Sequence, residues 1–164
     1  MTPVLSLVAA TEADVLGLMP WFPDARSCAV WGGPRFRHPF TAATFLEDIC
    51  LYDLPSYVLR DSDGMVCAFG QYYQRAGRCH FGRLVVSPAR RGGGLGTALI
   101  RDLAREGVPR LGVDECSLFA APDNEGALRL YDRRGFRAAV YPEDDPMVRP
   151  FVYMVVPARL LVGE

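Results

Sequence analysis

The sequence predicts an α+β fold with α/β mixed order: a central, mostly antiparallel sheet of six to seven strands flanked by about four helices. Three observations predict it. Residues 56–87 carry three apolar runs in succession, separated by Asp, Gly and Ala-Gly breaks, the pattern of an antiparallel meander. Capped, helix-period stretches stand before, between and after these runs. Neither an internal repeat nor a low-complexity segment divides the chain, so residues 1–164 are expected to form one domain.

Val4–Val8 reads as the first strand. Thr11-Glu12-Ala13-Asp14 then supplies an N-cap with acidic first-turn residues, predicting a short helix through Met19. Pro20, Pro23, Gly32, Gly33, Pro34 and Pro39 break up the next stretch, so residues 20–40 are expected to be a long loop. That loop is loaded with Trp21, Phe22, Trp31, Phe36, His38 and Phe40. Thr41 caps a second helix whose Phe45, Leu46 and Ile49 share a face.

Strands Ser56–Asp61 and Met65–Arg75 are joined by a turn ending in Asp63-Gly64, and Ala76-Gly77 leads into a further strand, Cys79–Ser87. Leu99, Ile100 and Leu103 mark a third helix running to Glu106-Gly107. Cys116–Ala121 is a strand, Glu125–Arg134 a helix stopped by Gly135, and Phe136–Tyr141 and Phe151–Val156 are the closing strands.

Composition narrows the function classes. Eighteen basic and 19 acidic residues leave a net charge of −1, which argues against a dedicated nucleic-acid binder. Every basic residue is arginine and only two isoleucines occur, a bias expected of a GC-rich, bacterial genome. Five scattered cysteines without a C-x-x-C pair, and histidines only at His38 and His80, predict no metal site and free thiols in a reducing cytoplasm. No signal peptide or membrane-length apolar run is read, so no membrane partner is expected.

Residues 84–97 combine a strand, a turn, a glycine cluster and a helix start. The first turn of a helix presents N–H groups without intrahelical acceptors, and glycines let a bound group approach that backbone. The result is an anion nest suited to a pyrophosphate. Arg90 and Arg91 add permanent charge at its edge. A Walker A loop needs a lysine, and the chain has none. A dinucleotide fingerprint fails too, because Thr97 or Leu99 stands where its last glycine belongs.

Arg91-Gly92-Gly93-Gly94-Leu95-Gly96 resembles the R-x-x-G-x-G acyl-CoA signature of the GNAT superfamily of N-acetyltransferases, preceded by Val86-Ser87-Pro88. Downstream, Asn124-Glu125-Gly126-Ala127-Leu128-Arg129-Leu130-Tyr131, then Gly135-Phe136, is similar to that family's second motif, N-x-x-A-x-x-L-Y-x-x-x-G-F. The order of elements agrees over nearly the whole length. The resemblance implies a sheet splayed between its fourth and fifth strands, with acetyl-CoA as cosubstrate in the cleft. Main-chain groups of Leu84, Val85 and Val86 would pair with the pantetheine arm. Arg91 and the amides of Gly92, Gly93, Gly94, Leu95, Gly96 and Thr97 would hold the pyrophosphate. Asn124 would contact the cofactor, although asparagine is also a good helix cap.

Two catalytic roles are implied by the same resemblance. Tyr131 matches the position of a general acid for the departing thiolate, and a phenol stays protonated at neutral pH; an interior tyrosine tethered by its hydroxyl is the plainer role. Many relatives carry a glutamate base on the fourth strand where this chain has His80, so His80 is either the base or a packed strand histidine. Trp31, Phe36 and His38 are candidates for lining the acceptor entrance, against a satellite core under the loop. Glu143, Asp144 and Asp145 can attract a cationic amine or form a solvated turn.

The expected activity is direct acetyl transfer, in a ternary complex, to a primary amine of a small molecule, peptide or protein. A monomer or homodimer is expected. The alternative of another class is a non-catalytic acyl-CoA-binding or sensing module.

Overall fold

Reciprocal capping boxes open the first three helices of the computed structural model, which describes residues 4–163. Thr11 and Asp14 exchange side-chain-to-backbone bonds at α1 (Glu12–Leu16), Asp24 and Ser27 at α2 (Ala25–Gly32), and Thr41 and Thr44 at α3 (Ala42–Ile49). Each box satisfies two N–H groups that a helix start otherwise strands. The outermost positions of the expected domain range, residues 1–3 and 164, lie outside the described residues.

The segment expected to be a loop, residues 20–40, contains α2 and most of a 3-10 turn over Met19–Trp21. Pro23 and Pro34 bracket α2 rather than interrupt it, and Asp24 has the cap chemistry to start it. The first helix, expected through Met19, stops at Leu16, where Gly17 caps it.

Seven strands form the sheet: β1 (Ser6–Ala9), β2 (Ser56–Arg60), β3 (Val66–Arg75), β4 (Arg78–Val86), β5 (Glu115–Ala120), β6 (Arg137–Ala138) and β7 (Val152–Pro157). Their hydrogen-bonded order is β1-β2-β3-β4-β5-β7-β6. Ala76 and Gly77, with φ of 50° and 75°, turn β3 into β4 with the left-handed pair a tight hairpin requires. β4 and β5 pair parallel at Cys79–Cys116 and His80–Ser117, near the start of each strand, whereas β1-β2, β2-β3, β5-β7 and β6-β7 pair antiparallel.

The chain divides into two compact units that share β3 and β4. One comprises residues up to Gln71 with Arg83–Leu95, the other Tyr72–Gly82 with residues from Gly96 onward. The first unit's core is Val15, Leu18, Phe22, Phe45, Ile49, Val58 and Phe69, with Trp31 and Phe40 packed on it. Burying one such aliphatic or aromatic side chain contributes about 1.5–3 kcal/mol. Gln71 is wholly buried there, donating to the Ile49 carbonyl at 2.7 Å and the Ser56 hydroxyl at 2.9 Å, so its amide carries no desolvation debt.

In the second unit α4 (Leu95–Leu111) supplies Leu99, Ile100 and Leu103 to a core shared with Cys116, Leu118 and Val156. α4 runs past Gly107, where the sequence reading stops it, and ends at Gly112, whose φ of 67° and bond to the Val108 carbonyl form the stop. Helices α5 (Glu125–Arg133) and α6 (Arg159–Val162) complete the unit, α6 being unforeseen. Among the described residues no helix is long and apolar enough to cross a membrane.

Gly107 is a packing residue: a Cβ there would lie 2.7 Å from the Tyr72 ring and 3.0 Å from the Cys79 sulfur. Gly107→Ala is therefore expected to destabilise the protein by about 1–3 kcal/mol through overpacking, against the ~1 kcal/mol that alanine gains in a helix. A urea midpoint unchanged or raised would show that the ring and thiol yield without cost.

Candidate functional site

The backbone between Arg91 and Leu95 alternates hand. Gly92 has φ of 84° and Gly94 of 80°, values that side-chain-bearing residues rarely adopt, and a Cβ at either would meet nothing within 4 Å. The glycines at these two positions thus answer a conformational demand and leave the backbone open. The turn runs directly into α4, 17 residues long, whose first N–H groups belong to Leu95, Gly96 and Thr97. Arg91 and Gly92–Gly94 are exposed. Arg90 is not available in the same way: its guanidinium is bonded to Asp61 at 2.9 Å.

Just upstream, β4 carries a kink. Arg83 is left-handed, with φ of 50°, and its carbonyl accepts a bond from the Trp31 indole at 2.8 Å. The Arg83 guanidinium reaches back to the Gly32 carbonyl at 3.3 Å and the Gln71 side-chain oxygen at 3.0 Å. A left-handed arginine in a strand costs of order 1–3 kcal/mol, and these bonds hold it. The kink immediately precedes Leu84, Val85 and Val86; Val85 is buried in the first unit's core and the other two are half-buried.

The aromatic candidates sit inward. Trp31 stacks on Phe22 with ring centroids 4.0 Å apart and meets Phe36 at 5.4 Å and Phe45 at 5.8 Å. Phe36 is buried. Both belong to the first unit's apolar core, the satellite role foreseen as their alternative. His38 packs edge-on against Phe40 at 5.3 Å.

In the second unit, Asn124 caps α5, its side-chain oxygen accepting from the Ala127 N–H at 3.3 Å. The cap uses only the oxygen, and the exposed side chain retains an amide NH2 able to donate outward. Tyr131 lies two turns along α5, its ring 5.6 Å from that of Phe136. Burial pushes its phenol up to about 12, so it is fully protonated at neutral pH.

His80 is 2% exposed, with Nδ1 2.9 Å from the Ser117 hydroxyl and its ring 4.9 Å from Phe119 and 5.4 Å from Tyr73. Burial first, and the positive charge of Arg75 second, push it down to about 3. Against an alkylammonium near 10, a base that weak would take a proton about seven powers of ten uphill. Of the two roles expected for His80, base or packed strand histidine, its burial and its Ser117 contact match the packed one.

Phe119 also meets Tyr141 at 5.1 Å and Tyr153 at 5.4 Å, and these rings, with Phe151, Glu143, Asp144, Asp145 and Arg149, line a cavity of about 220 Å³. Sequence reasoning singled out the acidic turn but missed Ser117, Arg75, Tyr141 and Tyr153. Ser117 reaches His80 through a parallel register no local pattern encodes.

A family model described as the acetyltransferase (GNAT) family matches residues 18–136. Similar solved structures include AAC(6')-Ib with ribostamycin and coenzyme A, at 23% identity and TM-score 0.75, covering 95% of this chain and 94% of that one. The aminoglycoside acetyltransferase AAC(6')-Ib with coenzyme A and kanamycin matches at 21% identity and TM-score 0.74, covering 96% of each. Spermidine N-acetyltransferase from Vibrio cholerae, with coenzyme A and spermine, matches at 16% identity and TM-score 0.72, covering 97% of this chain and 98% of that one. At these identities the likeness establishes the fold.

Unfolded His80 titrates at its ordinary 6.5 and folded His80 near 3. Between those values the unfolded chain binds more protons, so stability falls as pH falls, by up to about 1.4 kcal/mol per unit. Acid denaturation of the protein beside His80→Gln checks this. The variant is expected to lose stability less steeply between pH 6.5 and 3; parallel curves would show His80 titrating normally in the fold.

Proposed function

Because the chain belongs to the GNAT acetyltransferase family, we propose that it transfers the acetyl group of acetyl-CoA to a primary amine by direct attack in a ternary complex. One observation carries the reading: an open, left-handed glycine turn, built on the family's R-x-x-G-x-G residues, leads straight into the first amides of α4. A pyrophosphate is the ligand such a nest suits. Coenzyme A in the similar structures, and the amine acceptors named with them, support both cosubstrate and acceptor class.

In this reading the amides of Gly92, Gly93, Gly94, Leu95, Gly96 and Thr97 hold the diphosphate and Arg91 adds charge. Main-chain groups of Leu84, Val85 and Val86 take the pantetheine arm, and the Asn124 amide donates to the cofactor. The amine nitrogen forms a bond to the thioester carbon, the carbon–sulfur bond breaks, and the Tyr131 phenol gives its proton to the leaving sulfur. The amine's own proton passes to solvent, solvent returns one to the Tyr131 phenolate, and His80 hydrogen-bonds Ser117 rather than accepting the amine proton. We further propose that both units, over residues 1–164, act as one enzyme, monomeric or homodimeric. Its five cysteines are free thiols, in keeping with a cytoplasmic setting.

The weak basicity of His80 favours one second reading, an acyl-CoA-binding module without turnover. Thiol release against an amine panel separates the two.

Tyr131→Phe is expected to lower kcat by roughly 10²–10⁴-fold while calorimetry finds acetyl-CoA affinity little changed; undiminished turnover would remove the phenol from the mechanism. Because burial raises that phenol to about 12, turnover should show no loss from Tyr131 ionising until strongly alkaline pH. Arg91→Ala combined with Gly94→Val should weaken acetyl-CoA binding by at least about tenfold, the scale of one charge-assisted hydrogen bond. Wild-type affinity in that variant would place the diphosphate elsewhere.

A further inference from the structure

Arg75, at the end of β3, engages four side chains of the second unit, and the proposed chemistry leaves it without a role. Its guanidinium carbon lies 5.0 Å from the Phe119 ring centre and 5.4 Å from that of Tyr141. Nε donates to the Tyr141 hydroxyl at 2.8 Å, Nη1 to the Tyr73 hydroxyl at 3.4 Å, and Nη2 is 3.9 Å from Asp145. Asp145 in turn organises the segment after it, accepting on its side chain from the Met147 N–H at 2.9 Å and on its carbonyl from the Arg149 N–H at 3.0 Å. One planar cation thus faces Tyr141 and Asp145, the two ends of a turn that contains Pro142, together with the Phe119 ring.

That turn is a wall of the 220 Å³ cavity. Its lining combines four rings, Phe119, Tyr141, Phe151 and Tyr153, with the charged side chains of Glu143, Asp144, Asp145 and Arg149. Of the three acidic side chains on the turn, Asp144 is bonded to Arg149 at 2.5 Å and Asp145 faces Arg75, so two of the three carboxylates already have cations beside them. A cavity of this size, with rings to take an apolar body and the Glu143 carboxylate to meet one ammonium, fits a compact amine with an aromatic or apolar body better than a long polycation.

We propose that Arg75 is a specificity-determining positioning residue: by clamping residues 141–145 onto Phe119 it fixes the width of the cavity that receives the acceptor, a compact amine with an apolar body. This rests on the acetyltransferase reading above. Arg75 touches neither the thioester nor the attacking nitrogen; it acts through Tyr141 and Asp145. The planar fork matters beyond its charge, since one group must stack on two rings and bond a hydroxyl at once.

The test uses Arg75→Met and Arg75→Lys in the full chain, each first shown by circular dichroism and melting to be folded. Phenethylamine, spermine and kanamycin are the acceptors. The unsubstituted protein is expected to prefer phenethylamine. In Arg75→Met the KM for phenethylamine should rise at least tenfold, kcat and acetyl-CoA affinity should stay within about twofold, and the preference over the bulky amines should narrow. Arg75→Lys should restore less than half of the KM change on a logarithmic scale; full restoration would mean that charge alone acts and would overturn the clamp.

Amide exchange over residues 141–149 needs no substrate and should accelerate in Arg75→Met. Unchanged exchange overturns the clamp whatever the activity. Unchanged KM and selectivity, with exchange accelerated, overturn the specificity role. Spermine or kanamycin preferred by the unsubstituted protein overturns the compact acceptor. Failure of the acetyltransferase reading is distinguishable from all of these: the unsubstituted protein would release no thiol with any amine, and the specificity role would fall with it.

Discussion

Backbone amide groups can hold a diphosphate only where the chain turns them outward and keeps side chains away. Gly92 and Gly94 have the left-handed φ of 84° and 80° that such a turn uses, and open space stands where a Cβ would be. The first turn of α4 adds N–H groups which its own geometry leaves without acceptors. Arg91 contributes charge, but Arg90 next to it is committed to Asp61. The chemistry proposed for this chain therefore rests on peptide geometry more than on charged side chains, as befits a chain of net charge −1.

The strand feeding that turn is held by a different device. Arg83 takes a left-handed conformation inside β4, and the strain is offset by bonds from Trp31 to its carbonyl and from its guanidinium to Gln71 and Gly32. The aromatic segment after α1 is thus structural at its root: α2 carries Trp31, whose indole holds the Arg83 carbonyl. Leu84–Val86 begin where the kink ends, so packing in the first unit's core sets the direction of the backbone meant for the pantetheine arm.

Most of this was legible in the residues. Asp63-Gly64 and Ala76-Gly77 announce the two hairpin turns, and every strand falls within a few residues of its expected place. The glycine run and the Asn124–Tyr131 spacing carry the family resemblance on which the proposed site rests. What escaped was non-local or ambiguous. Pro23 and Pro34 read as breakers although they bound a helix, and Gly107 reads as a stop although it makes room for Tyr72 and Cys79. His80 stands where many relatives carry a glutamate and has a base's ordinary titration range; the Ser117 partner, the apolar burial and the Arg75 charge come from β5 and β3 and carry no signature near residue 80.

The most direct test is nuclear magnetic resonance of protein carrying nitrogen-15 glycine, titrated with coenzyme A. Hydrogen bonds to a diphosphate should shift the amide signals of Gly92, Gly93, Gly94 and Gly96 and slow their exchange, while Gly64 and Gly163 stay put. Saturable binding that leaves those four amides unmoved would contradict the account.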